Sequence, residues 1–243
     1  MNTKLFIQPD WPAPPQIRAY SSLRGKQRKP EFNLALHVEA DPQTVEANRA
    51  LLRQQLNLPT EPLWITQVHG NRALEALEIH RDQEADASFS YNQHQICIIM
   101  TADCLPILLC DIKGTRVAAI HAGWRGLARG IIPNTLKALN CPSHELFAWL
   151  GPAIGPQKFE VGQDVYSAFL ELSPLNNIAF HPTSKNKWLA NIYELARLQL
   201  RTLGLTQIYG GQYCTYTQHN DFFSYRRDGQ KAGRMASLIW IEP

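Results

Sequence analysis

Apolar runs, helical stripes and turn residues divide the chain into a series of short elements. Residues 41–58, DPQTVEANRALLRQQLNL, carry apolar positions at helical spacing, and Asp41 and Pro42 supply an N-cap and a first-turn proline. Residues 62–70, PLWITQVHG, predict a strand running into a glycine turn, and ADASFS (85–90) a further short strand. QICIIMTADCLPILLCD holds two apolar runs split by TADCLP, and RVAAIHAGW is a third run that ends in a turn. GLARGIIPNTLKAL then reads as helix, with Pro133 restarting or kinking it. ELFAWLGPAIGP predicts a strand and a Gly/Pro-rich loop, and 161–172 a helix. Residues 187–204 predict an amphipathic helix with Leu189, Ile192, Leu195, Ala196 and Leu200 on its apolar stripe and Gly204 as its stop. TQIYGG and ASLIWIE predict late strands. Strands and helices mix without strict βαβ alternation, and no linker or repeat interrupts them. The expectation is therefore one α/β (α+β) domain over residues 1–243, built as layers around a sheet core.

Composition narrows the function classes. With 44% hydrophobic and 19% charged residues, the chain has the composition of a globular protein. A net charge of +3 gives no case for nucleic-acid binding. The basic clusters RGKQRKP (24–30) and YRRDGQKAGR (225–234) read as solvated loops. No segment has a signal-peptide core or the roughly 20 apolar residues of a membrane span. The five cysteines are odd in number and fit no disulfide framework, which points to a reducing cytoplasm. There is no CxxC, GxGxxG or GxxxxGK[ST], so zinc-finger, Rossmann and P-loop sites are unsupported.

Three residues share one context. His69 ends WITQVH before Gly70, Cys104 lies between two apolar runs, and His121 ends VAAIH before AGWRG. Residues at the mouths of neighbouring strands converge, and two imidazoles with one thiolate make a good zinc set. Three protein ligands leave an open position, the arrangement of a catalytic zinc, at which a water's pKa falls to about 7. Two other readings stand beside this one. Cys104 and the histidines are satisfied core and strand-end groups, or Cys104 and His121 are a nucleophile and its base without metal.

The segments QVHG, MTADCLPILLC, AAIHAGWRGL, WLGPAIGPQKFEVG and FFSYRRDGQKAGRMASLIW resemble the YfiH-type family over nearly the whole chain. That family carries the label of laccase-domain or multicopper polyphenol oxidase proteins. It is also described as purine nucleoside phosphorylase with adenosine deaminase activity, and some bacterial members as peptidoglycan editing factors. The resemblance implies a layered α/β sandwich similar to the catalytic domain of cytotoxic necrotizing factor toxins. It implies zinc on His69, Cys104 and His121, with copper able to occupy the same site in vitro. The oxidase label conflicts with the residues: the eight histidines contain no His-x-His pair from which a blue-copper and trinuclear centre could be built.

The activity implied is phosphorolysis of adenosine, inosine, guanosine or methylthioadenosine. Arginines suit the phosphate because they bind it bidentately, and Arg24 in SSLRG and Arg125 in GWRG are the candidates. Deamination would need an activated water and a proton shuttle, for which Asp103 is adjacent to Cys104. SYRRDG reads as a shielding loop, with no role assigned to Arg226 or Arg227. The loop after Arg24, RGKQRKPEFNL, departs from the family's glycine-rich pattern, as does HVEADP, where His37 is a further candidate for the site wall. Two other functions compete: an amidase removing L-serine from UDP-N-acetylmuramyl-L-serine, and a structural zinc protein with a fourth ligand such as Cys110 or Cys214.

Overall fold

The computed structural model describes residues 5–78 and 83–242. The first half contains β1 (Phe6–Ile7), β2 (Ile17–Ser22), α1 (Pro42–Leu56), β3 (Ala73–Glu75), β4 (Ala87–Ser90), β5 (Cys97–Thr101), β6 (Leu105–Asp111) and β7 (Val117–Ala122). There follow α2 (Trp124–Ala128), α3 (Ile131–Leu139), β8 (Leu146–Leu150), β9 (Glu160–Gly162), α4 (Gln163–Leu172) and β10 (Phe180–Ser184). The chain ends with β11 (Lys187–Ala190), α5 (Ile192–Thr202), β12 (Gln207–Gly210), α6 (Tyr225–Asp228) and β13 (Met235–Ile241).

The central strands are apolar on both faces because both faces are covered. Leu108 and Cys110 of β6, Val117 and Ala119 of β7, and Trp149 of β8 point one way. They meet Ile99 of β5 and Ile239 of β13, so this core lies between a six-stranded sheet (β12-β8-β6-β7-β4-β3) and a four-stranded one (β1-β2-β13-β5). The alternate residues Ile107, Leu109, Ala118 and Ile120 face the opposite way and pack on Leu127, Ile131, Leu136 and Leu195 of the helices. On the outer face of the smaller sheet, Ile98, Leu238 and Trp240 pack on Leu52 of α1 and on Phe32 and Leu34 of the loop before it. The result is an α/β/β/α sandwich, the layered α/β architecture expected. A third sheet, β10-β11-β9, flanks it.

Local chemistry explains the agreements and the differences. Asp41 caps α1 by accepting from Gln43 N and Thr44 N, with Pro42 at N1, and Asn57 closes the helix in the left-handed region. The helical run after Trp124 breaks at Gly130 (φ +84) rather than at Pro133. Pro133 falls in the first turn of α3, where its missing N–H costs nothing. The helix expected over 187–204 loses its first turn to β11, because Lys187–Leu189 pair with β9, and Asn191 caps α5 by accepting from Glu194 N. The strand expected over 62–70 forms only an isolated bridge, Thr66 to Glu84. There the Gln67 side chain takes the place of a ladder: its amide donates to Met100 O and accepts from Met100 N, both at 2.7 Å. The segment before His69 is thus docked on β5 by one side chain.

Leu108 is completely buried between the two sheets. Leu108→Ala is expected to lower unfolding free energy by about 2–5 kcal/mol in a denaturant titration, with no change in m-value.

Candidate metal centre

His121 is the penultimate residue of β7, and Cys104 immediately precedes β6. The β6–β7 register pairs Leu105 with Ala122 and Pro106 with His121, which brings Cys104 to the end of His121's strand. His69 arrives from the loop docked by Gln67. The three ligand atoms lie within 4.8 Å of one another, with Cys104 Sγ 3.8 Å from His69 Nε2. Bonds of about 2.1–2.3 Å at tetrahedral angles put zinc ligands ~3.5 Å apart, so the donor set and spacing suit one such ion. This is the only group of its kind among the described residues, and neither Cys110 nor Cys214 joins it. Cys110 is buried between the sheets, and Cys214 accepts from Gly155 N.

Asp86 organises the set. Its carboxylate accepts from His121 Nδ1 at 2.7 Å and from the backbone N–H groups of Val68, His69 and Gly70 at 3.3, 2.9 and 2.6 Å. Its carbonyl accepts from His121 N at 2.7 Å. One fully buried carboxylate therefore fixes the His121 ring, leaving Nε2 as the ligating nitrogen, and holds the His69 turn in its positive-φ conformation (+57°). Gly123 lies close to the group: a Cβ there would stand 3.0 Å from both Cys104 Sγ and His69 Cδ2, so both ligands would have to shift.

Charge is balanced within this group. Burial opposes ionisation of Cys104, but the His121 charge and hydrogen bonds from both histidines outweigh it and hold the thiol well below its ordinary value. Burial likewise opposes protonation of His121, but the Cys104 thiolate and Asp86 outweigh it and raise the imidazole. For Asp86, burial is outweighed by the His121 hydrogen bond and the backbone donors, so it remains a carboxylate. Without a metal, these interactions favour the thiolate–imidazolium form of the Cys104–His121 pair.

The group opens into a cavity of ≈ 580 Å³ whose walls include His37, Trp124, Arg125, Phe159, Tyr225 and Arg234. Arg125 is therefore in the cavity. Arg24 is not on its wall: it pairs with Glu31 at 3.0 Å and Asp228 at 3.5 Å and lies over the Phe223 ring. Asp103 borders the cavity, with its carboxylate engaged by neighbouring loops. Its carboxylate accepts from Thr215 Oγ1 (2.5 Å), Ser224 Oγ (3.0 Å) and Arg226 N (2.6 Å). Asp103 also has φ +86, and its carboxylate meets Thr215, Ser224 and Arg226, whereas Cys104 Sγ meets His69.

Comparison with known proteins agrees with this architecture. The family model described as multi-copper polyphenol oxidoreductase laccase matches residues 23–242. The chain belongs to that family. Within the family it is 46% identical to the Escherichia coli K12 protein named purine nucleoside phosphorylase YfiH, covering 97% of this chain and 98% of that one. It is 43% identical to the Haemophilus influenzae purine nucleoside phosphorylase, covering 97% and 99%. The crystal structure of Neisseria meningitidis protein NMB0706 superposes with TM-score 0.93 at 43% identity, covering 99% and 100% of the two chains. That of YlmD from Geobacillus stearothermophilus superposes with TM-score 0.90 at 25% identity, covering 100% and 98%.

Sequence reasoning did not find Asp86. It stands before a short strand in EADAS, and nothing in the spacing shows that it faces His121.

Asp86→Asn removes the charge and turns one acceptor into a donor toward backbone N–H groups. Metal affinity is expected to fall about 10–100-fold, measured by competition with a chromogenic chelator. In chelator-treated protein at pH 7, iodoacetamide is expected to label Cys104 and to spare Cys97 and Cys110, whose thiols burial pushes up. The sign follows from the depressed thiol: labelling persists below the ordinary thiol pKa and fades only at lower pH, read by peptide mass spectrometry.

Proposed function

We propose that the chain is a zinc-dependent purine nucleoside phosphorylase that works in this cavity. The supporting observation is the placement of the His69–Cys104–His121 group on a mixed aromatic and cationic cavity, in a chain whose relatives over almost their full length are named for that activity. The ligands are two nitrogens and one sulfur, a set that suits zinc and that copper can also occupy. When bound, the metal would supply a fixed positive charge beside the cavity.

In phosphorolysis a phosphate oxygen forms a bond to C1′ while the bond from C1′ to the purine nitrogen breaks. The transition state carries positive charge on the ribose and growing negative charge on the leaving base. Trp124, Phe159 and Tyr225 give flat apolar walls for the base. Arg125 presents its guanidinium for the phosphate. The only carboxylate on the described wall, Asp103, is committed to three hydrogen bonds. Deamination and amide hydrolysis both call for a free proton shuttle. His37 stands on the wall for that role, and phosphorolysis is the main chemistry in this reading because the relatives are named for it, with adenosine deamination as a side reaction.

The test is incubation of metal-quantified protein with adenosine and phosphate, resolving adenine, ribose 1-phosphate and inosine. Adenine and ribose 1-phosphate are expected in equal amounts, with a loss of about 100-fold or more in Cys104→Ala. No product from protein carrying one zinc per chain would overturn the reading and make N-acetylmuramyl-L-serine compounds the next substrates to assay.

A further inference from the structure

We propose that Arg125, Arg226 and Arg234 together form a phosphate-oxyanion site in the cavity that holds the metal ligands. All three line that cavity. None has a carboxylate partner among the described ion pairs, whereas Arg24 and Arg227 in the neighbouring loops are both ion-paired. The basic segment 225–234, expected as a solvated loop, thus divides its charges. Arg227 is spent on Asp228 and on the carbonyls of Thr215, Tyr216 and Phe222, while Arg226 and Arg234 border the cavity.

Each of the three guanidiniums lies over an aromatic ring of the same wall. Arg125 is 4.4 Å from the Trp124 ring centre, Arg226 5.7 Å from Phe159 and Arg234 5.8 Å from Tyr225. A ring occupies the guanidinium face and leaves the in-plane N–H donors for an oxyanion. Few of those donors are used. Arg226 Nη1 donates to Glu160 O, and Arg234 Nη1 donates to the carbonyls of Ala232 and Gly233. Arg234 is the most buried of the three, and burial disfavours its charge by more than Cys104, Tyr225 and Asp103 nearby offset. A bound phosphate would add negative charge within reach of its unused donors.

Asp103 sets the position of one arm. By accepting from Arg226 N and Ser224 Oγ it ties the start of α6 to the residue beside Cys104, so the arginine and the metal ligand share one anchor. The Asn33 side chain fixes Arg234 in the same way: its Oδ1 accepts from the Arg234 backbone N–H at 2.8 Å.

Two sources could present the same chemistry, inorganic phosphate and the 5′-phosphate of a nucleotide. Assigning the site to the phosphate co-substrate rests on the phosphorylase reading; the anion site itself does not. Inorganic phosphate is therefore titrated calorimetrically into metal-loaded wild type and into Arg234→Gln, Arg234→Lys, Arg226→Gln and Arg125→Gln, with metal content and adenosine affinity measured on each. The glutamine variants are expected to weaken phosphate at least tenfold at Arg234 and several-fold at the others. Adenosine affinity and metal content should stay within twofold, and lysine should recover part of the loss at Arg234. Adenosine 5′-monophosphate that displaces phosphate and weakens in the same variants assigns the site to a nucleotide; independent binding assigns it to free phosphate. Phosphate affinity unchanged in Arg234→Gln and Arg226→Gln, or adenosine affinity falling in step with it, overturns the proposal. If wild type binds phosphate through these arginines yet converts no nucleoside, the phosphorylase reading fails and the site stands. If it converts nucleoside and the phosphate KM is unmoved in all three glutamine variants, the reverse holds.

Discussion

The buried Asp86 carboxylate is the interaction on which the site depends. It joins three parts of the chain that share no element: the loop ending at Gly70, the start of β4 and the end of β7. Its charge is balanced locally, by an imidazole on one side and three backbone N–H dipoles on the other. Removing any partner would leave a buried group unsatisfied, so the arrangement is held as a unit. Gly123 adds to this, because a side chain there would press on both His69 and Cys104.

The sandwich supplies the rigid frame around that unit. β6 and β7 are packed on both faces, so the ends of these strands have little freedom. Cys104 and His121 sit at those ends, and the loops that close the cavity are tied to the residue between them and the sheet. Asp103 takes Thr215, Ser224 and Arg226 onto one carboxylate, and its carbonyl accepts from Ile154 N. Two left-handed residues, His69 and Asp103, stand next to or within the ligand set. Each is held by a hydrogen-bonded network that offsets its conformational cost.

Much of this was legible in the sequence, and the limits are physical. The apolar runs of β5, β6, β7 and β13 are continuous because each strand is covered on both sides, and they marked the core directly. His69, Cys104 and His121 could be singled out because each breaks an apolar run beside a turn. Asp86 could not, since its role exists only when β4 and β7 are paired. Lys187–Leu189 carry the same apolar residues in a helix or a strand, and pairing with β9 decides between them. Arg24 and Arg125 look alike in their glycine-flanked motifs. Their difference lies in neighbours far along the chain: Asp228 and Glu31 for one, the cavity for the other.

The family's oxidase label and its phosphorylase members point to different chemistry, and the donor set distinguishes them. A single His–Cys–His group among the described residues suits one ion, not a multicopper cluster. The central claim is that His69, Cys104 and His121 bind that ion together. Titration of metal-free protein with cobalt(II), following thiolate-to-cobalt charge-transfer absorption, tests it most directly. The account predicts saturation at one cobalt per chain and loss of the band in Cys104→Ser. Absence of the band in wild type, or its persistence in Cys104→Ser, would contradict it.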